Sequence, residues 1–163
     1  MCCFCVSVNL TLHGLKIEPL AVGVHSVANL GGLRANQAIA VFGCGPVGLL
    51  CMAVAKALGA SRIIGIDINL SRLEFAKQYA ATHTYLPPKR EKGEVEYGRR
   101  NAADMKKQLG ITERGTGSID LVIDASGAEA SIQTAIYIVK AGGTVVQVRK
   151  GLILIFLTYN LGT

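Results

Sequence analysis

Three glycines in the run Gly43-Cys44-Gly45-Pro46-Val47-Gly48, and an aspartate, Asp67, 19 residues beyond the last of them, have the types and spacing to hold a phosphorylated nucleotide. Each glycine has a physical task. Gly43 permits a tight turn, Gly45 lets the backbone approach a pyrophosphate, and Gly48 lets a helix pack close to a strand. Free N–H groups and the positive end of that helix then face the phosphates. Asp67 offers two acceptors to an adenosine ribose and would repel a 2′-phosphate, which predicts NADH over NADPH. Taken alone, G-x-G-x-x-G is weak and Asp67 is an ordinary strand-end turn former. An S-adenosylmethionine methyltransferase also uses a glycine turn and an acid after the second strand, and it stays an alternative; Pro46 and the third glycine favour the dinucleotide.

Confirmation of such a loop comes from the elements around it. Ala38 to Phe42 reads as a fully buried strand entering Gly43, and Pro46 to Leu58 as an apolar helix closed by Gly59. Arg62 to Asp67 predicts a second strand. Ser71 to Ala80 predicts a helix capped by Ser71, with Glu74 completing a capping box. Thr84 to Leu86 reads as a short strand, Val95 to Leu109 as a polar helix, and Asp120 to Asp124 as a fourth strand. Ala128 to Lys140 then reads as a helix and Thr144 to Val148 as a fifth strand after Gly142-Gly143. Ahead of all these, Ile17 to Leu30 has helical spacing, with Pro19 in its first turn. Strands alternating with helices imply an α/β fold, a doubly wound parallel sheet.

Composition narrows the functional classes. Of 163 residues, 50% are hydrophobic and 17% charged, which excludes a disordered chain. The net charge of +6 raises the question of nucleic acid. From Lys89 to Lys107, however, seven bases are interleaved with four acids and a single aromatic, Tyr97, the pattern of a solvated helical insert. No nucleic-acid partner is expected. The apolar run near the end is far shorter than the ~20 residues that cross a bilayer, so no membrane partner is expected either. Five cysteines, an odd number, suggest reduced thiols and a cytoplasmic protein. Cys2 and Cys5 form C-x-x-C without a second pair, too little for zinc. Cys44, beside a helix N-terminus, has a setting that can lower a thiol pKa, although sterics explain a small side chain there. Cys51 reads as a buried helix residue, and His25 as packed structure. His13 and His83 have no partner pattern.

The stretches IEPLAVGVHSV, VFGCGPVGLL, GIDINLSRLEFAK and DLVIDASGAEASIQTAIYIVKAGGTVVQV resemble the coenzyme domain, an NAD(P)-binding Rossmann fold, of zinc-dependent medium-chain alcohol and polyol dehydrogenases. Within that family the likeness is to the polyol branch of the fungal xylitol dehydrogenase (D-xylulose reductase) type. The resemblance implies an oxidoreductase of carbohydrate metabolism. Its reaction moves a hydride between a polyol such as xylitol and NAD, giving a ketose, with zinc as Lewis acid in the complete enzyme, a homo-oligomer. It also implies roles for residues. Gly43, Gly45, Val47, Gly48, Asp67 and Arg72 are similar to the cofactor-binding set, with Val47 beside the pyrophosphate and Arg72 over the adenine side. Glu18, in Glu-Pro-Leu, is similar to the glutamate beside the catalytic zinc; without the resemblance it reads as a first-turn acid facing the helix dipole.

The resemblance covers residues 14–148, expected to be the coenzyme-binding domain. Residues 1–13 and the apolar tail 149–163 match nothing in the family. The family's zinc-binding half has no counterpart, so the chain is expected to be truncated, as from a mis-spliced gene, and inactive alone. The run LILIFL follows the fifth strand too closely to be its parallel neighbour, and is expected to form an antiparallel hairpin or hang free. A nucleotide-binding module without catalysis remains the alternative from another class.

Overall fold

The computed structural model describes residues 14–90, 94–149 and 152–157. Residues 1–13, with their three cysteines and His13, lie outside them.

Five strands run parallel: β1 (Ala38–Phe42), β2 (Arg62–Ile66), β3 (His83–Tyr85), β4 (Ile119–Asp124) and β5 (Val139–Arg149). A sixth, β6 (Leu152–Leu157), pairs antiparallel with β5, so the hairpin alternative is the one observed. The sheet order is β3-β2-β1-β4-β5-β6, and the chain reverses its direction of travel between β1 and β4. Ligands of open α/β sheets bind at such a switch point, beyond the carboxyl ends of the strands.

Strand alternation sorts the core into two layers. Ile39 and Val41 of β1 face Cys51, Met52 and Ala55 of helix α2 (Pro46–Ala57) and Leu73 and Ala76 of α3 (Leu70–Tyr79). Ala38, Ala40 and Phe42 face the opposite layer, which holds Ala102 and Met105 of α4 (Tyr97–Leu109) and Ala135 and Ile138 of α5 (Glu129–Ile138). Helix α4 is therefore not a solvated insert. It is the β3–β4 crossover, polar outside and apolar toward the sheet, as a parallel connection requires. A buried polar chain fastens it: the Tyr85 hydroxyl donates to Asp104 Oδ2 (2.7 Å) and lies 2.9 Å from Asn101 Oδ1, and Asn101 Nδ2 donates to Thr134 Oγ1 (3.2 Å). Burial first, then the Asp104 bond, pushes the Tyr85 pKa well above its usual range.

Several expected boundaries shift. Helix α1 begins at Gly14 and runs to Val24, placing Pro19 inside it and Glu18 beyond the first turn. The dipole argument for Glu18 fails accordingly. A π-helical turn, His25–Leu30, continues α1, and the Gly31 N–H donates to the Ser26 carbonyl five residues back (2.9 Å). His25 is exposed rather than packed and contacts Asn29 Nδ2 (3.2 Å). The cap of α3 is Asn69, not Ser71: its side chain accepts the N–H groups of Ser71 and Arg72. Strand β5 begins five residues before Thr144, because a register shift between β4 and β5 accommodates Gly142-Gly143 inside the strand. Among the described residues no helix is long and apolar enough to cross a membrane.

Candidate cofactor site

The glycine loop joins β1 to α2 at the switch point. Gly43 has φ +91°, a conformation costly for any residue with a Cβ. Its N–H donates to the Ile66 carbonyl at the end of β2 (2.7 Å). Gly45 is the residue before α2, with Pro46 in the first helical position, where a missing donor costs nothing. No side chain caps this helix end, so its N–H groups remain available to an anion. A Cβ built on Gly45 meets nothing within 4 Å, and space therefore lies in front of the loop. Gly48 is the reverse. A Cβ there would lie 1.8 Å from the Gly43 carbonyl oxygen and 3.4 Å from Val41 Cγ1. The loop therefore has the tight turn, the open front and the close helix–strand contact that residues holding a pyrophosphate would need.

Asp67 is the first residue past β2 and 7% exposed. Its Oδ2 accepts the Cys44 N–H (2.8 Å) and its Oδ1 the Asn69 N–H (2.9 Å). The acid that would meet a ribose therefore also holds the glycine loop. Each carboxylate oxygen has a second acceptor position for a ribose hydroxyl. Arg72 Nη1 lies 3.8 Å from Asp67 Oδ2, with its side chain 60% exposed over the β2 end. Ile68, next to Asp67, is an exposed apolar residue. Val47 is part-buried against the α2–α3 layer.

Cys44 is buried, and burial, then the charge of Asp67, raises its thiol pKa to about 12. Burial thus keeps this thiol protonated, and a lowered pKa beside the helix N-terminus is not what the structure favours. Cys51 is buried in α2 as expected, its pKa also raised to about 12 by burial.

Glu18 is placed in α1 by its backbone, and its side chain lies outside the described residues. Among the described residues no three His, Cys, Asp or Glu side chains come together, so these residues do not present the donor set of a zinc site. A cavity of about 820 Å³ opens at the other end of the sheet, lined by Asn36, Ser61, Arg114, Asp120 and Lys140. It lies at the amino ends of the strands, away from the switch point, and its Lys140–Asp120 ion pair is internally satisfied.

Sequence reasoning missed Asp124 and Ser126 at the end of β4, beside the loop. Asp-Ala-Ser after a strand is an Asx-turn signal that would have found them.

A parallel sheet with a glycine loop, helix N-terminus and strand-end acid at its switch point defines a Rossmann-type nucleotide-binding fold. Comparison with known proteins narrows this. A family model described as zinc-binding dehydrogenase matches residues 46–152, about two thirds of the chain, and the chain belongs to that family. It is 48% identical over 147 residues to the probable D-xylulose reductase A of Aspergillus niger, covering 89% of this chain and 38% of that protein. The probable D-xylulose reductase A of Arthroderma otae is 46% identical over 134 residues, covering 82% and 35%. The chain thus spans well under half the length of these curated relatives. Among solved structures, the 2R,3R-butanediol dehydrogenase of Bacillus subtilis superposes with a TM-score of 0.64 at 28% identity, over 83% of this chain and 34% of that one. The alcohol dehydrogenase of a Thermus species gives 0.63 at 29%, over 83% and 35%.

Proposed function

We propose that this chain is the NAD-binding part of a polyol dehydrogenase, acting in hydride exchange between a xylitol-like polyol and a D-xylulose-like ketose. The observation that carries the reading is Asp67, held beside a glycine loop whose front is open at Gly45. The identity to fungal proteins named D-xylulose reductase supports the substrate class.

NAD supplies the hydride acceptor when bound. The work of the chain's own residues is binding and orientation. Gly43, Gly45 and Gly48 shape the loop, and the free N–H groups opening α2 take the pyrophosphate. Asp67 takes the ribose hydroxyls, Ile68 and Arg72 flank the adenine side, and Val47 backs the loop. The Asp67 carboxylate disfavours a 2′-phosphate, although Arg72 beside it softens the repulsion, which makes NAD rather than NADP the preferred partner. Glu18 is assigned to the substrate side on the family resemblance.

Titration of the full chain with NADH, following the nicotinamide fluorescence, tests the reading. Saturable binding that is displaced by NAD and unaffected by S-adenosylmethionine is expected. Binding of S-adenosylmethionine without NADH would overturn it in favour of a methyltransferase.

A further inference from the structure

Asp124, the last residue of β4, is fully buried, and it sits beside Phe42 of β1 and Gln147 of β5 in the sheet register. A buried carboxyl group is expensive unless its oxygens are hydrogen-bonded. Here Oδ1 accepts the Ser126 N–H (3.0 Å) and the Ser126 hydroxyl (2.6 Å), while Gln147 Nε2 approaches Oδ2 at 3.5 Å. These bonds fold the chain after β4 into a tight turn. The same turn is tied to β1, because the Ala125 N–H donates to the Phe42 carbonyl (2.8 Å). Gly43 rests directly against it: a Cβ built on Gly43 would lie 3.0 Å from both the Ala125 carbonyl carbon and the Ser126 nitrogen.

The glycine loop is therefore gripped from two sides by the same device. On the β2 side, Asp67 accepts the N–H two residues on, at Asn69, and the loop N–H of Cys44. On the β4 side, Asp124 accepts the N–H two residues on, at Ser126, and the turn it makes backs Gly43. The Asp67 grip has an evident purpose in ribose binding. Asp124 faces no open space and has no such use.

We propose that Asp124 is a positioning residue for the cofactor, its carboxyl group holding the Ala125–Ser126 turn as the wall that sets Gly43 and hence the pyrophosphate loop. The inference rests on the dinucleotide reading above. It requires an acceptor at position 124, not a charge. Asparagine keeps that acceptor for Ser126 and alanine does not.

The experiment is competition against NADH fluorescence in the full chain, using ADP-ribose, which carries the pyrophosphate, and adenosine, which does not. Asp124→Ala is expected to weaken ADP-ribose at least tenfold while changing adenosine less than threefold, and Asp124→Asn to restore ADP-ribose to within threefold of wild type. Equal losses for both ligands would mean general loosening of the domain and overturn the proposal, as would an unaltered ADP-ribose affinity or failure of the asparagine variant to rescue. Should Asp124→Ala not fold, Ser126→Ala decides. It removes the 2.6 Å bond, and ADP-ribose is expected to weaken at least threefold relative to adenosine; no selective loss overturns the proposal. Wild-type protein that binds no NADH would instead overturn the dinucleotide reading itself.

Discussion

Gly48 sits so close beneath Gly43 that a Cβ on the former would lie 1.8 Å from the carbonyl oxygen of the latter. Backbone cannot yield as a flexible side chain does, so Gly48→Ala must displace the loop or the helix. A cost of ~3 kcal/mol is expected for such overpacking, which lowers Tm by roughly 6–12 °C in a domain of this size. NADH binding falls with it. Gly45→Ala is the contrast. Its φ of −76° suits any residue and its Cβ meets nothing, so Tm should hold. NADH affinity should nevertheless drop about tenfold, ~1.4 kcal/mol, because the methyl occupies the space left for the pyrophosphate. Thermal melts and NADH titrations of both variants separate the two roles.

Asp67 carries a second prediction. Its removal costs the ribose contacts and also leaves the buried Cys44 N–H without its acceptor. Charge-assisted hydrogen bonds contribute about 1.5–3 kcal/mol each, so Asp67→Ala should weaken NADH by roughly ten- to a hundredfold. Wild type should prefer NADH over NADPH, and the variant should lose much of that preference. Tighter binding of NADPH by wild type would show that Asp67 does not face the ribose.

The two buried thiols of Cys44 and Cys51 contribute to a loss of stability at alkaline pH, as do the Tyr85 and Tyr97 hydroxyls, whose pKa values burial also raises. Both thiols have folded pKa values raised from 9.0 to about 12, chiefly by burial. The unfolded chain loses these protons near pH 9 while the folded chain keeps them. Their contribution to stability is therefore complete below pH 9 and declines as pH rises from 9 toward 12. Urea melts at pH 8, 9.5 and 10.5 should show a falling midpoint, less steep in Cys44→Ser. At pH 8 the folded thiols present roughly a thousandfold fewer thiolates than unfolded ones. Iodoacetamide should accordingly label Cys44 and Cys51 at least a hundredfold more slowly than in denaturant, as read by mass spectrometry of their peptides.

The order of elements and the loop were legible because local and long-range signals agree there. An apolar five-residue run, a glycine turn and a proline-initiated helix each imply the next. Elsewhere two local choices competed, and a tertiary contact decided. Asn69 and Ser71 are both good caps. The Asp67 side chain, by accepting the Asn69 N–H, turns the chain so that Asn69 faces the free helix end. Gly142-Gly143 has the form of a strand breaker, yet pairing with β4 carries the strand through it. In Asp-Leu-Val-Ile-Asp, Asp124 has the form of strand punctuation. The Ala125–Ser126 turn that it closes meets Gly43, distant in sequence and adjacent in space. The candidate site was readable where one segment carries it, and unreadable where two strands meet.

The last prediction concerns turnover. Oxidation of a secondary alcohol in this family depends on zinc, and an open catalytic zinc site takes about three protein ligands. The described residues bring no three donor side chains together, and the chain spans 38% of the length of the Aspergillus niger relative. Of the residues assigned here, Glu18 alone lies on the substrate side by resemblance, and one carboxylate cannot hold the metal. Cofactor binding by the described residues is therefore expected without zinc, and turnover only where about three metal ligands are supplied. With zinc, NAD and xylitol present, absorbance at the NADH band should stay at the no-enzyme blank, while NADH titration of the same preparation saturates. Adding a zinc-binding half from a fungal relative in the same polypeptide should restore turnover, and Glu18→Ala in that chimera should reduce it at least tenfold, ~1.4 kcal/mol in transition-state terms. Sustained turnover by the 163-residue chain alone, lost on Glu18→Ala, would show that it assembles a complete site by itself.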